Sequence, residues 1–122
     1  MSNQSSHPWT LEEEDGVLIC TLVDDNFELP VGRSMQKELL QYLEGSSVQK
    51  VLVNMQTISF ISSGGFSILI SISNRIKKLG GRFGVCNLQP KVYDLMVNVL
   101  SLYHVIEIYN YRQNAMLHLT KK

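Results

Sequence analysis

The chain has 122 residues, 44% of them hydrophobic and 18% charged, with 11 basic against 11 acidic side chains. That is enough chain for one domain with one core and too little for two ordinary ones. A net charge of zero removes any general electrostatic pull toward nucleic acid, and no apolar run approaches the roughly 20 residues of a membrane helix, so direct membrane insertion is not expected.

The opening MSNQSSHP is polar and lacks the basic segment and apolar core of a secretory signal. Residues 1–7 therefore read as a flexible tail, residues 8–122 as the domain, and the cytoplasm as the location. Trp9 to Glu14 and Val17 to Val23 predict two strands turned at Gly16, a hairpin. DDNFELPVGRS, residues 24–34, is rich in turn formers and reads as a loop. Met35, Leu39, Leu40 and Leu43 then recur at helical spacing up to Gly45. VLVNM, opened by Lys50, has the composition of a strand buried on both faces. Cys20 and Cys86 sit inside the apolar runs CTLV and GVCNL, which predicts buried, reduced thiols, and no CxxC pair or His/Cys cluster suggests a metal site.

The segment Ile58 to Ser73, ISFISSGGFSILISIS, supports two readings. By alternation Phe66, Ile68, Ile70 and Ile72 form one face of a strand; by the 3.6-residue period Gly65, Ile68, Leu69, Ile72, Ile76 and Leu79 form one side of a helix. A strand here would leave the flanking VLVNM and FGVCN strands without a crossover helix. A helix over Ser63 to Lys78 is therefore predicted, stopped by Gly80 and Gly81, with Arg75, Lys77 and Lys78 on its wet face. Its isoleucines cost a few tenths of a kcal/mol each in helix propensity, less than the roughly 1.5–3 kcal/mol that burying each supplies.

Beyond it, Arg82 to Asn87 reads as a strand, and Pro90 opens a helix whose apolar stripe is Val92, Leu95, Met96, Val99 and Leu100. VIEIY, residues 105–109, predicts a short closing strand and YRQNAMLHL, residues 111–119, a last helix. Strand and helix thus alternate, which predicts an α/β fold with a mixed, mostly parallel sheet and helices packed mainly on one side.

On this reading Ser62 caps the helix and Ser63 stands at its start, where N–H groups and the helix dipole accommodate a phosphate. The simpler reading is a cap followed by a glycine turn. Catalysis finds no support: the G-x-S-x-G elbow is missing, His7, His104 and His118 fall in a tail, a loop and a terminal helix, and SSGG lacks the lysine of a phosphate-binding loop. No catalytic residue and no cofactor is expected. Ser63, Phe66, Ile70 and Lys77 share the side opposite the core stripe, which exposes Phe66 and Ile70 beside Ser63 unless a neighbouring helix or loop covers them.

The run from Val51 to Tyr109, with FISSGGF, the helix ending KKLGG, the strand ending CN and the closing VIEIY, resembles the STAS family, the domain of sulphate transporters and anti-sigma factor antagonists. Laid on without a gap, the family loop F-I-D-S-S-G-L covers Phe60 to Phe66, placing its aspartate at Ser62, its two serines at Ser63 and Gly64, and its glycine at Gly65. In kinase-regulated members the phosphorylated residue is the second serine, whose place here is Gly64; a shift of one residue brings that position to Ser63 and makes Gly65 an insertion. The resemblance implies a bacterial anti-sigma factor antagonist, a regulatory binding module that sequesters an anti-sigma factor of kinase-like fold. It further implies Ser63 as the phosphorylation site, with a serine phosphatase as a further partner. Ser62, Ser63, Gly64, Gly65, Phe66 and Ile70 would make the binding surface. The alternative it leaves open is an unmodified STAS scaffold or transporter accessory subunit.

Overall fold

The computed structural model describes residues 7–121, so the tail expected over residues 1–7 lies outside the described residues except for His7. The chain begins with the hairpin β1 (Trp9–Glu14) and β2 (Val17–Leu22), paired antiparallel with Trp9 opposite Leu22 and Glu14 opposite Val17. The turn places Asp15 and Gly16 at φ +51° and +80°, a left-handed pair that an Asp-Gly sequence adopts at little cost. Next come β3 (Asn26–Phe27), α1 (Leu29–Glu44), β4 (Lys50–Asn54), β5 (Phe60–Ile61), α2 (Ser63–Lys78) and β6 (Arg82–Cys86). The last third holds α3 (Pro90–Tyr93), a π-helical continuation over Asp94–Val99, a 3-10 turn over Leu102–His104, β7 (Glu107–Tyr109) and α4 (Arg112–Thr120).

The main sheet runs in the order β1-β2-β4-β6-β7, and a two-stranded sheet joins β3 to β5. Every pairing except β1 with β2 is parallel. Alternation along the strands divides the core. Leu18, Cys20, Val51, Val53, Phe83 and Val85 face Met35, Leu39, Leu69, Ile72 and Ile76 of α1 and α2, while Val17, Ile19, Leu52 and Cys86 face Ala115 and Leu119 of α4. The mixed, mostly parallel sheet is the one expected, with α1 and α2 on one face and α4 on the other.

Ser63 to Lys78 is helical, which decides the ambiguous segment. Gly65, Ile68, Leu69, Ile72 and Ile76 are buried along its inner side. Leu79 is the exception: it follows the last helical residue and is 58% exposed. Other parts of the chain differ from the sequence reading. Helix α1 starts at Leu29, inside the stretch read as a loop, because Pro30 occupies a first-turn position where its missing N–H costs nothing. Gly32 is buried there, where a Cβ would collide with the Ile68 side chain; the glycine is what lets α1 approach α2. The helix after Pro90 widens to i+5 hydrogen bonding, with Leu100 N donating to Leu95 O at 2.8 Å. That extra residue per turn rotates the expected stripe, so Val92 and Met96 are buried while Leu95, Val99 and Leu100 are exposed. Ser101 ends the segment with φ +52°, and the closing strand begins at Glu107, two residues later than VIEIY suggests.

Candidate functional site

The serine loop is held from below by β3. Ser59 N and Phe60 N donate to Asp25 O at 2.8 and 3.2 Å, and Ser62 N donates to Phe27 O at 3.1 Å. The Thr57 hydroxyl reaches the carbonyls of Leu22 and Asp24. These bonds fix the entry into α2. The Ser62 hydroxyl then accepts from Gly65 N at 3.0 Å, and Phe66 N donates to Ser62 O at 3.0 Å, so Ser62 is a side-chain cap.

Each residue of the loop has a distinct environment. Ser63 is exposed, the first residue of α2. Gly64 is half-buried under Leu29, and a Cβ on it would stand 2.9 Å from Leu29 Cβ. Gly65 is buried, and a Cβ on it would collide with the Phe27 carbonyl oxygen and crowd Ile61. Glycine at 65 is therefore a packing requirement of the β3-to-α2 contact. Ser63, as the first residue of α2, sits at the N-terminal, positive end of the helix dipole.

Phe66 and Ile70 are half-buried and pack against the core rather than standing free. Together with Ser63, Leu95, Leu100 and Leu102 they line an open, mostly apolar groove of about 440 Å³. The neighbouring segment that partly covers them is thus the π-helical stretch. Spacing puts Leu95 and Leu100 on the helix's apolar stripe, and no sequence signal for the π widening reveals their outward turn. Lys77 lies beyond the groove, donating with Ser73 to Val105 O, each at 2.6 Å, which ties α2 to the segment before β7.

The histidines and cysteines have other partners. His7 lies tilted against Trp9, ring centroids 4.5 Å apart, and meets Glu38 at 3.3 Å, His104 lies tilted against Tyr103, and His118 lies against Tyr109. Cys20 and Cys86 are free and buried, and burial pushes each thiol up to about 12. Among the described residues no group of three His, Cys, Asp or Glu gathers to hold a metal ion, and no helix is long and apolar enough to cross a membrane. The loop offers a hydroxyl, a helix start and an adjoining apolar groove, an arrangement that can bind a protein surface and carry a charge at its edge.

A search of solved structures returns the same fold. A Thermotoga maritima protein described as a candidate anti-sigma factor antagonist superposes with a TM-score of 0.79 at 18% identity, over 93% of this chain and 95% of its own. The anti-sigma factor antagonist SpoIIAA of Bacillus, in its unphosphorylated form, gives 0.72 at 14% identity, over 90% of this chain and 94% of its own. The murine anion transporter Slc26a9 gives 0.74 at 17% identity over 91% of this chain, which spans only 19% of that larger protein. The STAS domain family model matches residues 9–115, nearly the whole described chain, and the chain therefore belongs to the STAS domain family.

Proposed function

We propose that this STAS domain is an anti-sigma factor antagonist: it binds an anti-sigma factor of kinase-like fold through the Ser62–Phe66 loop and the groove beside it, and phosphorylation of Ser63 releases that partner. The observation that carries the reading is that the exposed Ser63 lines the same apolar groove as Phe66, Ile70, Leu95, Leu100 and Leu102. A phosphoserine adds about −1.5 to −2 charge at neutral pH. The helix start accommodates that charge in the free domain, while a partner covering the groove has to desolvate it. A serine phosphatase restores binding. SpoIIAA has been solved in unphosphorylated and phosphorylated forms, which supports a charge switch within this fold. Ser62 and Gly65 act by holding the loop, and Ser63, Phe66 and Ile70 by meeting the partner.

A second reading has its own support. Gly64, the gap-free counterpart of the family's second serine, carries no hydroxyl and is packed under Leu29, and the fold also occurs within an anion transporter. On that reading the domain is an unmodified scaffold or transporter accessory subunit in which Ser63 is structural. Intact-mass measurement and peptide mapping of the protein isolated from its own cells separates the two. A phosphate on Ser63 that rises and falls with growth state is expected; unmodified Ser63 in every state leaves the scaffold.

A further inference from the structure

Helix α4 buries few side chains of its own and takes hydrogen bonds at both ends from groups outside it. Only Ala115 and Leu119 of its nine residues are buried, with Met116 partly so, while Leu117 is 71% exposed. Tyr111, at its N-cap, supplies no side-chain cap. Instead Asn87 Oδ1 accepts from Arg112 N at 3.2 Å; Asn87 stands just after β6 at φ +58° and donates to Asn54 Oδ1 at 3.1 Å. At the other end Arg82 Nη1 donates to His118 O at 3.2 Å and Lys50 Nζ to Leu119 O. Arg112 itself pairs with Glu14 at 2.6 Å and Glu12 at 3.3 Å on β1. Both ends of the helix are thus capped by residues on the strands or just after them, and its one ionic anchor is the Arg112–Glu14–Glu12 cluster.

A helix this short has no independent stability in water. Once its ends leave Asn87, Lys50 and Arg82 it loses the caps as well as the contact, so undocking and unravelling are one event. Beneath it lie Val17, Ile19, Leu52 and Cys86, in a core separate from the one under α1 and α2. We infer that α4 is a latch: it opens locally from the sheet, with the main core intact, and uncovers the Cys86 thiol and the apolar strip around it, at a frequency set by the Arg112–Glu14–Glu12 cluster. In the closed state Cys86 is fully buried and protonated, and so unreactive. Cys20 belongs to the main core on the other face, so its exposure requires global unfolding. The two free thiols therefore report separately on the two faces.

The test is alkylation of the native full chain by iodoacetamide, an uncharged probe, at fixed pH, with each cysteine quantified by peptide mass spectrometry. Local opening predicts that Cys86 reacts at least about tenfold faster than Cys20. Arg112→Ala and the milder Glu14→Gln should each speed Cys86 severalfold and leave Cys20 unchanged. Raising salt from roughly 0.15 M to about 1 M, which shortens screening from about 8 to about 3 Å, should do the same in wild type and much less in Arg112→Ala. If Cys86 reacts no faster than Cys20, or if its rate ignores both salt and Glu14→Gln, the latch is overturned. Amide exchange over residues 112–120 gives a second reading: these amides should exchange faster than those of β4, and equal protection overturns it as well.

Discussion

Ser62 and Gly65 do the local work of the loop, one by accepting a hydrogen bond and the other by having no side chain. Ser62→Ala leaves Gly65 N without its acceptor and should cost about 0.5–2 kcal/mol, read as a lower urea midpoint at unchanged slope. Gly65→Ala drives a methyl into the Phe27 carbonyl and Ile61 and should cost about 1–3 kcal/mol as overpacking; an unchanged melting temperature would contradict the close approach. Far from the loop, burial pushes the Glu107 carboxyl up, but hydrogen bonds from Arg82 and Tyr109 and the charges of Arg82 and Lys77 bring it net below its ordinary value of 4.5. A carboxylate held lower in the folded chain stabilises the fold above its unfolded pKa, and that support is lost as pH falls through the folded value. The stability of wild type relative to Glu107→Gln should therefore be level near neutrality and shrink below about pH 4.5. Urea titrations across the acid range check this, and an advantage that grows on acidification would refute it.

Among the elements, the α1–α2 contact turns on Gly32 against Ile68. A helical Gly→Ala change ordinarily gains up to about 1 kcal/mol, but Gly32→Ala should destabilise, because the added methyl meets Ile68. In a double-mutant cycle with Ile68→Ala the two losses should fall short of additive by about 0.5–3 kcal/mol; strict additivity in denaturant titrations would mean that the helices do not meet there. The same contact explains what the sequence conceals. Pro30 and Gly32 look like breakers when read locally, yet one sits in a first turn and the other serves a tertiary approach, and neither use has a local signature. Strong periodicity made α2 legible once the need for a crossover was added to its pattern. After Pro90 the stripe of Val92, Leu95, Met96, Val99 and Leu100 assumed a 3.6-residue period, and the π widening, which depends on how the segment seats on the core, turned Leu95, Val99 and Leu100 outward. Half of the groove was therefore invisible in the residues, while the Ser62 cap and the exposed Ser63 were readable from the strand-to-helix turn alone.

For the whole molecule, the sheet separates two kinds of work. One face, under α1 and α2, carries the main core and presents the loop and groove at its edge; the other is closed by a helix that depends on the sheet for its caps. A negative charge at Ser63 lies at the favourable end of α2, so Ser63→Glu should leave the melting temperature within a few degrees, the scale of at most ~1 kcal/mol. The most direct test is a calorimetric titration of wild type, Ser63→Ala and Ser63→Glu with the anti-sigma factor proposed as the partner. Ser63→Ala should bind as wild type does, and Ser63→Glu should bind about fivefold to more than a hundredfold more weakly, since desolvating the charge costs at least ~1 to 3 kcal/mol. Equal affinities for all three proteins would contradict the switch.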